Sequence, residues 1–376
     1  MATSSIIVQG FNPRVRPKLQ RCRTVWGRTE HRDALPGLRT VTNAIYQPAS
    51  PDGSWALCDA AGTIIEFGAN PMLTDVVDQA DDRPTLFIGP LITHYGHFLL
   101  GTFARLWPLL SWTGPRPRLL CYAEGPLDVL HAQWAALPFL ADILARFDLN
   151  VEDLVTFQNV TRIPELLLPE PSVKEQDFTY AIYRKLTRFT GEAFYDPAAV
   201  DREATPVYLS KARLGSGISR LRNEDALCET LSRQGVDIVF PEALRFPELV
   251  RLLSERRMVL GTAGSAFHTA VFAAPNRRIL ALNWTPPVNA NFLLLDALNG
   301  TRARYYFVPG STIGDEPGFH FGWSIPDPEA VAAEMLERVR AFDTLDARDA
   351  AEDAARWRAK WIPGWKPVQR WLDRRT

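Results

Sequence analysis

Three short segments hold residue types that could do chemistry. The first, THYGHFLLGTFARLWPL over 93–109, sets His94 and His97 three positions apart at what reads as the start of a helix. Imidazole exchanges protons near neutral pH. The positive end of a helix favours its uncharged form, so either ring suits a general base; a core histidine or a capping residue is the plain alternative. Arg105 follows His97 by about two helical turns, on roughly the same side. There it would bind an anionic ligand or pair with a carboxylate. No third metal ligand accompanies the histidines, and no HExxH or strict DxD motif occurs. QADDRP over 79–84 reads as a surface turn, so no catalytic divalent cation is expected.

The second segment, YLSKARLGSGISRLRNEDAL over 208–227, puts Lys211, Arg213, Arg220 and Arg222 after an apolar run, in a loop containing glycine. Lysine offers a point charge and arginine a two-pronged donor for phosphate. The loop therefore suits a diphosphate, or is simply a solvated basic loop. The third segment, MVLGTAGSAFHTAVF over 258–272, runs from an apolar strand through Gly261 and Gly264 into a helix bearing Ser265, Ala266 and His268. Backbone N–H groups at such a turn receive anions, at the strand end where open α/β sheets bind ligands. His268 would touch phosphate or ribose, or pack. Glu242 ends VDIVFPE, where a carboxylate binds ribose hydroxyls or caps a helix. Neither GxGxxG nor the P-loop lysine is present, which disfavours an NAD-dependent oxidoreductase and a nucleoside-triphosphate loop.

The elements that must position these residues follow from hydrophobic periodicity. TVTNAIYQ, SWALCDA, GTIIEFG, TLFIG and RLLCYA read as strands, with PDGS at 51–54 as a hairpin turn. A helix is expected from His97 with Phe98, Leu99, Thr102, Phe103, Leu106 and Leu110 on one face. Another is expected over Leu127–Phe147, interrupted near Pro138, and a third over 178–194. YDPAAVDREATP at 195–206 reads as a domain boundary. After it, strands PVYLS, VDIVFPE, MVLGT and RRILALN alternate with helices, the signature of a parallel sheet covered on both faces. DPEAVAAEMLERVRAF reads as a helix capped by Asp327. The expected organisation is an N-terminal domain over 1–195 with a basic arm at 1–35, a C-terminal Rossmann-like domain over 206–325, and helices with a Trp/Arg-rich tail over 326–376.

Composition narrows the class. Of 376 residues, 46% are hydrophobic and 23% charged, enough for a packed core. The net charge of −1 argues against binding nucleic acid by bulk electrostatics. Cys22, Cys58, Cys121 and Cys228 are widely spaced, as free thiols in a reducing compartment would be. No secretory signal is read at the N-terminus. The most apolar stretch, Leu86–Trp112, is broken by His94, His97 and Arg105, so no membrane span is expected. A cytoplasmic protein is the expectation. Trp357, Trp361, Trp365 and Trp371, set among basic residues, either pack the tail onto the N-terminal domain or meet the inner face of a membrane.

Taken in order, the three segments resemble glycosyltransferase family 61, in particular its bacterial branch linked to capsular and other surface polysaccharides. The first family signature stands here as His94-Tyr95-Gly96-His97-Phe98-Leu99-Leu100, then Gly101, then Arg105-Leu106-Trp107. The second stands as Tyr208-Leu209-Ser210-Lys211-Ala212-Arg213 with Asn223-Glu224. The third runs from Leu260 through Gly264, Ser265 and His268 to Thr269. The resemblance covers about 85–285. It implies a GT-B-like fold of two Rossmann-like domains facing a cleft, and inverting, metal-independent transfer from a nucleotide-sugar to a glycan or lipid-linked acceptor in polysaccharide biosynthesis. Gly101 stands where relatives often carry an acid and Thr269 where many carry Asn. Catalysis then rests on another group, or the chain is a catalytically degenerate binder of glycan or nucleotide. On the first reading His97 is the base with His94 second, and Arg105 meets the acceptor. Lys211, Arg213, Gly264, Ser265, Ala266, His268 and Glu242 hold the donor.

Overall fold

The computed structural model describes residues 6–7, 19–48, 55–66, 71, 73–345, 347–348 and 351. The expected PDGS turn and the Trp/Arg-rich tail lie outside these residues. The chain is mixed α/β and divides into two compact units. One is Arg21–Gly215 with Val236–Phe307. The other is Met1–Gln20, Ser216–Gly235 and Val308–Thr376. Residues 195–206 lie inside the first and larger unit.

Two sheets build the larger unit. The first runs in the order Leu154–Val155, Arg118–Tyr122, Thr85–Pro90, Thr161–Pro169, Leu38–Gln47, Ala56–Cys58, Ile64–Glu66. Its first four strands are mutually parallel and the rest are joined antiparallel. Thr85–Phe87 and the two residues after them are buried without alternation, as in a parallel strand covered on both faces. The second sheet carries parallel strands in the order Asp237–Val239, Val207–Leu209, Val259–Thr262, Arg278–Leu282, Arg302–Phe307. These are the strands expected from the β/α alternation, with Arg302–Phe307 added. One apolar core takes residues from both sequence halves of this unit, including Phe98, Phe103, Tyr183, Phe246 and Phe272. The Phe103–Phe272 and Phe246–Phe272 ring centroids are 5.2 and 5.0 Å apart, the spacing of tilted and edge-on aromatic contacts.

Local departures from the sequence reading have physical causes. The helix expected from His97 is a chain of short turns: Tyr95–His97, a π-turn over Phe98–Thr102, and 3₁₀ turns over Phe103–Arg105 and Trp107–Ser111. The wide π-turn lets Phe98, Leu99, Leu100 and Thr102 all be buried, where a regular helix would turn some of them to solvent. The helix expected over 178–194 begins as the strand Phe178–Tyr180 and is helical over Ala181–Gly191. The helix expected over 265–274 is α-helical at Ser265–His268 and 3₁₀ at Thr269–Val271.

The smaller unit holds a sheet ordered Ile6–Ile7, Thr312–Gly314, Phe319–Ser324, Gly217–Leu221, with helices Glu224–Arg233 and Pro328–Arg340. Asp327 caps the second helix as expected, accepting from Ala330 N–H at 3.0 Å. The basic segment at 211–222 is thus not one loop. Gly217–Leu221 is a strand paired with Phe319–Ser324, and Arg222 donates from Nε to Glu316 at 2.8 Å and to the Asp315 carbonyl at 2.7 Å. Arg220 approaches the same carboxylate at 3.8 Å.

Candidate active site

The residues assigned to base, donor and acceptor all lie in the larger unit, whereas Arg220 and Arg222 lie in the smaller one. Their scaffold is the meeting of two segments far apart in sequence: the turn at Tyr95–His97 and the turn that opens the Ser265–His268 helix. Gly96 makes the approach possible. A Cβ on Gly96 would sit 3.1 Å from Ser265 Cβ, closer than packed carbons ordinarily come, and in contact with His268 Nδ1 at 3.6 Å. Beside it, the Tyr95 and Thr269 hydroxyls are hydrogen-bonded at 2.7 Å. Thr269 is completely buried, so the threonine that stands where the family pattern has Asn ties these two segments together.

Three histidines converge there. The His94 and His97 rings are 5.1 Å apart, and both side chains are exposed. His97 Nδ1 lies 2.8 Å from Glu175 Oε1. Partial desolvation and the neighbouring His97 hold His94 below the ordinary imidazole range, with Glu175 opposing them. His268 is 8% exposed, packs on Phe292 with centroids 4.8 Å apart, and among the described residues has no hydrogen-bond partner for either ring nitrogen. Burial, then the proximity of His97 and His94, pulls its pKa down to about 4. It is therefore uncharged at neutral pH. A buried polar ring without partners is costly, and such groups mark places where a fold serves a ligand.

Against this cluster lies a pocket of about 260 Å³ lined by Tyr95, Phe139, Phe246, Leu249 and other apolar side chains, with Lys211, Glu242, Ser265 and Ala266 as its further lining. An apolar cavity with a few convergent polar groups is the usual form of a small-molecule site. Lys211 Nζ donates to the Ala263 carbonyl at 3.2 Å. It rests against Gly264, where a Cβ would stand 3.2 Å from the ammonium. Ser265 and Ala266 begin their helix, and N–H groups in a first turn have no acceptor within it. Glu242 is exposed on the Pro241–Ala243 turn. Arg213 lies with its guanidinium 3.6 Å from the centre of the Phe240 ring, a cation–π stack, and is not among the pocket-lining residues.

Arg105 stands apart from these groups. It is 6% exposed, donates to the Pro169 carbonyl at 2.7 Å and pairs with Glu66. Of the two roles the sequence allowed it, this is the carboxylate partner. Among the described residues no three His, Cys, Asp or Glu side chains are arranged to hold a metal ion. The residues that sequence reading missed are Glu175, Asn291 and the aromatic lining, Tyr95, Phe139 and Phe246. Glu175 sits in SVKEQDF, a stretch with no motif, 78 positions from His97. The sequence reading expected a helix from 178, and the short strands that flank Glu175 emerged only in the structure.

A search among curated proteins found no match. The family described as Glycosyltransferase 61 matches residues 95–280, a span that begins at Tyr95 and takes in Lys211, Glu242, Ser265 and His268. The protein carrying this histidine cluster and pocket therefore belongs to glycosyltransferase family 61, whose activity is the transfer of sugars.

Proposed function

We propose that this chain is an inverting, metal-independent glycosyltransferase that takes a sugar from a nucleotide-sugar and passes it to a glycan or lipid-linked acceptor in polysaccharide biosynthesis, on the cytoplasmic side. The observation that carries this reading is convergence: Lys211, Glu242, Ser265 and Ala266 line one apolar pocket, and Gly96 packs Ser265 and His268 against the His94–His97 turn. The apolar lining suits a nucleobase, Glu242 the ribose hydroxyls, and Lys211 with the first-turn N–H groups the diphosphate. A departing nucleoside diphosphate needs that positive environment most as its bond breaks. His97 takes the acceptor proton, with His94 as the second candidate and His268 facing the donor. Arg213 reaches the diphosphate only by leaving Phe240, and Arg105 is held by Glu66 and Pro169, so acceptor binding falls to other groups. The two-domain GT-B arrangement and the bacterial polysaccharide branch belong to this same reading.

Gly101 favours a second reading, a chain of the same fold that binds donor or glycan without turnover. One experiment separates them. Thermal unfolding is followed with UDP, GDP and CMP and with their sugars, with and without EDTA, on the wild type and on Lys211→Ala. Stabilisation by one nucleotide, insensitive to EDTA and lost in the variant, is expected. Release of that nucleotide from its sugar by the wild type and not by His97→Ala identifies the transferase. Binding without release identifies the degenerate binder, and stabilisation by none of the nucleotides overturns both donor-based readings.

A further inference from the structure

Position 101, where the resemblance expects an acid, is glycine. A carboxylate nevertheless meets the histidine pair, from a different part of the chain. Glu175 lies between the strands Val173–Lys174 and Phe178–Tyr180, and its Oε1 is 2.8 Å from His97 Nδ1. Its second oxygen accepts from Asn291 Nδ2 at 3.2 Å. Asn291 is buried, and its Oδ1 accepts from Gln176 N–H at 2.6 Å while its own N–H donates to Asn289 Oδ1 at 2.9 Å. Gln176 adopts φ 56°, a left-handed conformation that costs an L residue energy. Its carbonyl accepts from Arg28 N–H at 2.7 Å. Hydrogen bonds from outside the turn thus hold it in shape, and one of the residues that makes them, Asn291, also grips the Glu175 carboxylate.

We propose that Glu175 is the positioning residue for His97, accepting Nδ1–H so that Nε2 is left bare to take a proton. A base whose second nitrogen is fixed by a carboxylate is oriented, carries the right tautomer and is stabilised once protonated. In the transferase reading, on which the acceptor step rests, the acceptor hydroxyl gives its proton to Nε2. The oxygen's electron pair forms the bond to the anomeric carbon as the bond from that carbon to the nucleoside diphosphate breaks. The diphosphate leaves with that bonding pair. The titratable groups facing His97 are His94, His268 and Glu175; burial keeps His268 uncharged, so Glu175 supplies the charge that answers an imidazolium at His97.

The test needs no substrate. The chain has six histidines, and nitrogen-15 correlation spectra of histidine-labelled protein report the tautomer and titration of each ring, with His97 assigned from the peak absent in His97→Gln. In its neutral form the wild-type His97 ring should carry its proton on Nδ1. Glu175→Ala, which removes the acceptor from Nδ1, should release that preference so that the Nε2–H form of His97 is populated. A proton on Nε2 in the wild type overturns the proposal, as does an unchanged His97 tautomer in Glu175→Ala. The wild-type tautomer decides by itself if the variant does not fold. Failure of the nucleotide screen would remove the transferase reading and leave this measurement intact, so the two fail separately.

Discussion

Replacing His268 with leucine tests whether its ring is kept for a ligand. The ring is buried, both nitrogens lack partners, and its pKa lies near 4 against an ordinary value of 6.5. In the unfolded chain the ring takes a proton as pH falls through 6.5, while in the fold it resists until about 4. A depressed folded value means stability present at neutral pH and lost across that window, at about 1.4 kcal/mol per pH unit, on the order of 3 kcal/mol in total. Leucine has no proton to take and no nitrogen to leave unpaired. His268→Leu should therefore match the wild type at neutral pH or exceed it by about 1 kcal/mol, since an unmet buried polar group is itself destabilising. The wild-type excess of acid lability should disappear. Urea unfolding of both proteins, repeated from neutral pH down to about pH 4, reads the difference directly, because every other titrating group is common to the pair. The reasoning is refuted if the two proteins lose stability in parallel on acidification, or if the variant is several kcal/mol weaker at neutral pH, which would make the ring a packing element. If the stabilised variant also loses nucleotide binding, the fold is holding a costly ring for its ligand.

Three further outcomes follow from the geometry. Lys211→Ala should weaken nucleotide-induced stabilisation more than Arg213→Ala, because Lys211 lines the pocket and Arg213 stacks on Phe240; equal losses in thermal-shift titrations would bring Arg213 into the site. Arg105→Ala should destabilise by about 3 kcal/mol in chemical unfolding, since it leaves the half-buried Glu66 carboxylate and the Pro169 carbonyl without their donor; a change under about 1 kcal/mol would mean that the pair behaves as a solvent-screened one. Burial raises the Asp296 pKa to about 8, and Tyr305 donates to its carboxyl at 2.8 Å. Its contribution is complete below the ordinary carboxylate value of 3.8 and is lost progressively as pH rises to about 8, so between about pH 4 and pH 8 Asp296→Asn should lose less melting temperature than the wild type; identical slopes would refute this.

How much was legible in the sequence varies with the range of the interaction. Apolar runs ending in glycine marked Thr85–Pro90 and Val259–Thr262 as buried strands, because a strand covered on both faces needs apolar side chains at every position. Asp327 announced its helix, since a cap acts within one turn. The order of the His94–His97, Lys211 and Gly264–His268 segments pointed to the family that residues 95–280 match. Other features were decided by the return of the chain. Gly217–Leu221 is a strand because Phe319–Ser324 pairs with it, a partner about a hundred positions away that local composition does not name. The π-turn at Phe98–Thr102 answers burial on several sides at once. Arg105 looks available in sequence and is taken by Glu66 and Pro169. Glu175 carries no motif, and it meets His97 because Asn291 and Arg28 hold its turn in place. The sequence by itself determined which residues were fit for proton transfer and phosphate binding, since that depends on side-chain chemistry and local periodicity. Which of them meet, which are consumed by internal pairing and which carboxylate serves the base were decided by tertiary structure alone, because hydrogen bonds of about 3 Å between residues scores of positions apart depend on strand register and packing that no single segment encodes.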